Sequence, residues 1–167
     1  MGSSPINLGL VRLVVALTLL AVTPAAVRAD AASDLSAART KWKTASIATY
    51  TFVYTDRGDT MIAPPCNWDV LRTHVKNGKP TLSVVLEGMG LCPTGSVLPA
   101  SERANAPRTI EALFAIVERL VNFGPEAVRL EVNYDPSYGF PVHLRAEKLG
   151  ITDSDEGFEI TGFLPGK

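Results

Sequence analysis

The chain has 167 residues with 16 basic and 17 acidic side chains, a formal charge of −1, and 46 % hydrophobic residues. Its first 29 residues hold Arg12 and Arg28 but no acid, so the remaining 138 carry a charge of about −3. A weakly acidic segment with no basic run has no electrostatic footprint for nucleic acid or anionic lipid, and its length suits one ordinary domain that buries a core without metal or oligomerisation.

Residues 1–29 have the pattern of a secretory signal peptide. Arg12 precedes the apolar run Leu13–Val22, Pro24-Ala25-Ala26 breaks it, and Val27-Arg28-Ala29 is a small-residue exit. A membrane span needs about 20 apolar residues, and this run stops at half that. The sequence has no cysteine near the exit for lipid attachment and no twin arginine, so the pattern predicts export of an unfolded chain to a periplasmic or extracellular site, with no stable anchor after cleavage. Residues 30–167 then form a single α+β domain.

Within that domain Ser33 is a candidate cap for a helix from Asp34 to Ser46, with Leu35, Ala38, Trp42 and Ala45 on one stripe. Thr49–Thr55 alternates Tyr50, Phe52 and Tyr54 with smaller residues, the period of a half-buried strand whose aromatic face is core. Asp56–Pro65 reads as a loop. Trp68–Lys76 and Thr81–Glu87 flank Asn77-Gly78, a strong hairpin signal, and in the second arm Leu82, Val84 and Leu86 alternate with Thr81, Ser83 and Val85. Gly88–Arg108 reads as an irregular loop, long for a compact domain.

Thr109 caps a second predicted helix, with Glu111 in its first turn, an apolar face of Ile110, Leu113, Phe114, Val117, Leu120 and Val121, and a stop at Gly124-Pro125. Strands follow at Val128–Tyr134, Val142–Glu147 and Phe158–Phe163. The order α-β-β-β-α-β-β-β predicts one antiparallel sheet with both helices on its apolar face and the other face open. It has the look of two αβββ units.

Cys66 and Cys92 lie on either side of the Asn77-Gly78 turn at nearly equal distances, so pairing of the two arms brings them together. A disulfide is expected in an oxidising compartment, worth about 3 kcal/mol in the chain-entropy model. A redox or nucleophilic role would call for a C-x-x-C spacing, which the sequence lacks.

Tyr134-Asp135-Pro136-Ser137-Tyr138-Gly139-Phe140-Pro141 is a tight connection between strands. Together with Trp42, Ile47 and Tyr50, Val75-Lys76-Asn77-Gly78, Thr109-Ile110, Leu113-Phe114, Asp153, Asp155-Glu156 and Phe158 it resembles the exported bacterial family called domain of unknown function 6174. The resemblance implies secreted proteins or lipoproteins with no established activity. This chain departs from the pattern at Phe140, where Tyr is usual, in its widely separated cysteines, and at Arg145-Ala146-Glu147, where an Asp is common.

No catalytic constellation is legible. G-x-S-x-G and S-x-x-K are missing. His74 and His143 fall on the solvent parity of their strands, and would make a metal pair only if those strands were neighbours and further ligands converged. Asp153-Ser154-Asp155-Glu156-Gly157 has part of a calcium loop but reads better as a polar turn. No cofactor is implied. On the open face, Glu131 and Glu147 stand among Arg129 and Arg145, where cross-strand ion pairing is expected. Arg72, His74, Arg129, Glu131, His143, Arg145 and Glu147 are the candidate interaction surface for a protein or peptide partner in the envelope, and Met89, Leu91, Val97 and Leu98 a candidate apolar rim. A non-enzymatic extracytoplasmic binding domain is the leading expectation. A small envelope hydrolase using a carboxylate site is the alternative, and a lipid-binding fold with a dry cavity under the helices is a third.

Overall fold

The computed structural model describes residues 24–58, 66–90, 92–99, 108–151 and 155–166. The signal run up to residue 23, most of the 56–65 loop, and Asp153 and Ser154 lie outside the described residues. Helix α1 spans Pro24–Ala45 and α2 Ile110–Phe123. The strands are β1 Tyr50–Asp56, β2 Cys66–Lys76, β3 Lys79–Gly90, β4 Val97–Pro99, β5 Val128–Tyr134, β6 Pro141–Lys148 and β7 Glu156–Pro165.

The seven strands among the described residues form one antiparallel sheet in the order β4-β3-β2-β1-β7-β6-β5. The α+β class and the expected element order hold, with the short edge strand β4 added. Each αβββ unit lays its strands side by side as third, second, first, and the units join where β1 pairs with β7. Short turns explain the meanders. At β2–β3 both Asn77 (φ 52°) and Gly78 (φ 70°) take the left-handed conformation of a two-residue hairpin turn.

Both helices cover one face. Leu35, Ala38 and Trp42 of α1 and all six apolar positions of α2 join Tyr50, Phe52, Tyr54, Val75, Val128, Leu144, Ala146, Phe158 and Ile160 in one buried core. Thr109 caps α2 by accepting from the Ala112 amide at 3.1 Å. Side chains of both helices pack directly on those of the sheet in this core. Leu71, Val85, Cys92 and Leu98 make a second, smaller cluster.

Three expectations are corrected, and the structure sets which alternate residues of β3 face inward. Helix α1 starts at Pro24, ten residues before the predicted Asp34, because the alanines at 25, 26, 29, 31 and 32 favour helix; Ser33 is therefore inside the helix and is not its cap. The 88–108 segment is not a continuous loop: Gly88, Met89 and Gly90 pair with Trp68, Asn67 and Cys66, and Val97–Pro99 pairs with β3 after a tight turn at Gly95 (φ 90°). In β3 the inward residues are Ser83 and Val85, while Leu82, Val84 and Leu86 lie on the opposite parity. Glu156-Gly157, read as part of a polar turn, begins β7, with Glu156 ion-paired to Arg119 and Gly157 opposite Arg145.

A bulge decides the last strand. Thr51 faces Leu164 but Val53 faces Thr161, so Gly162 and Phe163 together oppose Phe52. Gly162 has φ 56°, a conformation glycine adopts at no steric cost. The extra residue turns Phe163 inward, where its ring lies 4.5 Å from Phe140, 5.7 Å from Tyr50 and 6.0 Å from Trp42. It also leaves Leu164 outward and 66 % exposed.

Candidate functional site

The uncovered sheet face is built by strand parity. In β2 the alternation that buries Leu71, Thr73 and Val75 sends Arg72 and His74 outward; in β5 and β6 the parity that points Leu130, Val132, Leu144 and Ala146 to the helices sends Arg129, Glu131, His143, Arg145 and Glu147 outward. All seven residues of the expected surface therefore share one face, in two groups. Between Arg72 and His74 on β2 and the other five on β5 and β6 run β1 and β7.

The two groups differ in chemistry. The β5–β6 end is ionic: Arg129 and Glu147 are cross-strand partners joined at 3.0 Å, Glu131 lies opposite Arg145, and Asn133 opposite His143. Nearby, Arg57 holds Glu159 at 2.9 Å. At the other end Val97 faces Val84, Val84 faces Arg72, and Arg72 faces Val53; in the adjoining row Leu82, His74, Thr51 and Leu164 stand side by side. Val97 and Leu164 are each more than 60 % exposed and Leu82 is 36 % exposed. Of the expected apolar rim, Val97 belongs to this surface, Leu98 is buried in the smaller cluster, and the side chains of Met89 and Leu91 lie outside the described residues.

The two histidines are not neighbours. Three strand spacings, about 14 Å, separate β2 from β6, and His74 is bonded through Nδ1 to the Thr51 hydroxyl at 2.9 Å. The metal-pair condition fails on this strand order. Among the described residues no three of His, Cys, Asp and Glu converge.

A concave site lies on the helix side, at the end of the sheet where α1 finishes, α2 begins and the Asn77-Gly78 turn closes over both. It has a volume of about 520 Å³ and is lined by Arg39, Trp42, Lys43, Ser46, Ile47, Ala48, Asn77, Gly78, Glu111 and Phe114. The one acid among its described lining residues, Glu111, is held from behind. The Trp42 indole N–H donates to Glu111 Oε1 at 3.0 Å and the Tyr50 hydroxyl to Oε2 at 3.3 Å, while the same hydroxyl accepts from the Ile110 amide at 3.0 Å. Burial, reinforced by the neighbouring Glu111 charge, pushes the Tyr50 hydroxyl well above the usual phenol range, against the pull of the Ile110 amide. Tyr50 thus stays a neutral donor that fixes the carboxylate. Arg39 is committed elsewhere, bonding both Glu118 oxygens at 3.0 and 2.9 Å and the Phe114 carbonyl at 3.2 Å; the Glu118 carboxyl is lowered by that hydrogen bond and by the arginine charge.

Sequence reading missed this pocket because it gave Trp42 and Tyr50 to the core and Glu111 to a helix first turn. The available signal was Glu111 itself, the acid beside Ile110 and one turn from Phe114 on the apolar helix. Two acids facing each other across a cleft would suit hydrolysis; among the described residues this lining presents one.

The model for a family of unknown function, DUF6174, matches residues 34–163. The chain belongs to this family. The match takes in both helices' packing segments and every strand up to Phe163, so the αβββ-αβββ sheet described above is this DUF6174 member's fold. Its Phe140, set where the family resemblance has Tyr, is 1 % exposed between Trp42 and Phe163, so the buried position is filled by a ring that needs no hydroxyl partner. Comparison with curated proteins and with solved structures returns no match for this DUF6174 chain.

Proposed function

We propose that this DUF6174 chain is exported by its amino-terminal signal, and that the mature segment 30–167 is a non-enzymatic binding domain of the periplasm or extracellular space. A protein or peptide partner docks on its open sheet face. The observation that carries this reading is the apolar strip of exposed Leu82, Val97 and Leu164 with half-buried Val84, interleaved with Arg72 and His74 and continued by the ionic rows of β5 and β6. An apolar patch beside a charged field is the usual anatomy of an interaction surface. The Cys66–Cys92 disulfide is part of the proposal, supported by the register that puts Cys66 opposite Gly90, two residues from the buried Cys92. Cleavage after Ala29 leaves Asp30–Ala45 of α1, including the Leu35, Ala38 and Trp42 stripe that anchors it.

The test uses a photo-crosslinking residue at Thr161, on the open face, and at Thr40, on the exposed side of α1, in the producing cell. Expected are a discrete adduct at Thr161, its loss when Leu82, Val97 and Leu164 are changed to serine, and none at Thr40. Equal labelling at both positions, or an adduct indifferent to the serine changes, refutes the surface. Intact mass of the exported protein checks the rest: a chain beginning at Asp30, two mass units below its reduced form, is expected. The hydrolase alternative has no observation in its favour comparable to the strip.

A further inference from the structure

The pocket at the end of the sheet is separate from the open face and has its own chemistry. Trp42, Ile47, Ala48 and Phe114 give it an apolar wall, and a carboxylate whose two oxygens are each pinned by one buried donor stands in that wall. Each oxygen keeps a lone pair beyond the one used by Trp42 or Tyr50. The carbonyl end of helix α1 abuts the same space through Ser46, Ile47 and Ala48, adding the negative end of a helix dipole. The positive end of α2 is already met by the Thr109 cap and Glu111. Of the two cations on the rim, Arg39 is neutralised by Glu118, and Lys43 stands on the exposed side of the last helical turn. An anion would be repelled by Glu111. Glu111 is exposed at the pocket mouth, and a neutral apolar body would draw nothing from its charge.

We propose that this pocket binds a small molecule with an aromatic or bulky apolar body and a cationic amine head, the body against Trp42, Ile47 and Phe114 and the amine on the Glu111 carboxylate. The volume of about 520 Å³ falls in the range of small-ligand sites, and the prepositioned carboxylate gives the specificity. Trp42 and Tyr50 are positioning residues here: they hold Glu111.

The probes are phenethylamine, its neutral counterpart 2-phenylethanol, the anion 3-phenylpropionate, and butylamine as a mimic of a lysine side chain. Each is titrated into the ¹⁵N-labelled purified protein while the Trp42 indole N–H resonance and the amides of Ile47, Gly78 and Phe114 are followed. Phenethylamine is expected to move them saturably and to bind about tenfold tighter than 2-phenylethanol, the size of one charge-assisted contact, with 3-phenylpropionate weakest. Glu111→Gln, whose amide oxygen can still accept from Trp42 while its NH2 donates to the Tyr50 hydroxyl, is expected to erase the amine's advantage and leave the alcohol unchanged, and Lys43→Ala to strengthen the amine. Equal binding of amine and alcohol, preference for the anion, or no saturable shift at these residues overturns the proposal. Butylamine binding as tightly as phenethylamine overturns the apolar-body assignment and points to a protein lysine as occupant. Should Glu111→Gln fail to fold, the ranking of the four probes on the unaltered protein decides.

Discussion

Thr73 on β2 and Ser83 on β3 are direct cross-strand partners, both fully buried, and their hydroxyls share a hydrogen bond of 2.9 Å. They sit on the helix side beside the buried apolar pair Leu71 and Val85. Thr73→Val removes one partner and strands the Ser83 hydroxyl without water. Desolvation of an unsatisfied buried group costs about 1–3 kcal/mol, reduced slightly by the methyl that replaces the hydroxyl. Ser83→Ala strands the Thr73 hydroxyl in the same way, so each single change is expected to destabilise by about 1–2 kcal/mol. The double variant has no hydroxyl left to desolvate. It gives up one hydrogen bond, worth about 1 kcal/mol net, and buries a methyl in exchange, so its expected loss is about 0–1 kcal/mol, less than either single change. Urea unfolding of all four proteins, followed by tryptophan fluorescence, measures the cycle. Additive single effects within about 0.5 kcal/mol would show that the two hydroxyls do not depend on each other and would refute the reasoning.

Three further outcomes are expected. Burial raises the hydroxyls of Tyr50, Tyr54 and Tyr134, the last to about 12, so in a 295 nm titration these three of the four tyrosines should ionise later in the folded protein than in the urea-unfolded chain. Because folding raises these pKa values, the stability they contribute is complete below pH 10 and is lost as pH climbs from 10 toward 12 and beyond; stability that stays flat across that window contradicts the assignment. Gly139 has φ 83°, and a Cβ there would meet the Ala38 carbonyl oxygen at 2.6 Å and Lys41 Cβ at 2.8 Å, so Gly139→Ala should cost at least about 2 kcal/mol in thermal unfolding. Gly95→Ala, equally left-handed at φ 90° but in open space, should cost about half as much. Reduction of the proposed Cys66–Cys92 disulfide should lower unfolding stability by about 3 kcal/mol, read as the drop in urea midpoint on adding dithiothreitol; an unchanged midpoint argues against the bond.

Much of the fold was legible because it rests on local periodicity. The apolar stripe of α2, the Thr109 cap, the Asn77-Gly78 turn and the alternation in β5 and β6 are each specified within a few residues, and the structure keeps them. The same parity placed the seven outward residues on one face. Local pattern left undecided the places where two tendencies compete. In β3 the more apolar alternate residues, Leu82, Val84 and Leu86, stay on the uncovered face, and Ser83 goes inside because Thr73 meets its hydroxyl across the strand. The start of α1 lay in alanine-rich chain without an apolar rhythm.

The sequence by itself determined the type of nearly every element, the antiparallel α+β class and the identity of most core positions, since backbone propensity and the 2.0 and 3.6 periods act over short stretches of chain. Only the tertiary structure decided the strand order, and with it the separation of His74 from His143 and the split of the open face into an apolar and an ionic half. It also decided the β7 bulge that turns Phe163 inward and Leu164 out, and the meeting of Trp42, Tyr50 and Glu111, residues 61 and 69 positions apart along the chain, around one carboxylate. Contacts at that separation are selected by how the whole sheet closes its core, and no window of local pattern contains that information.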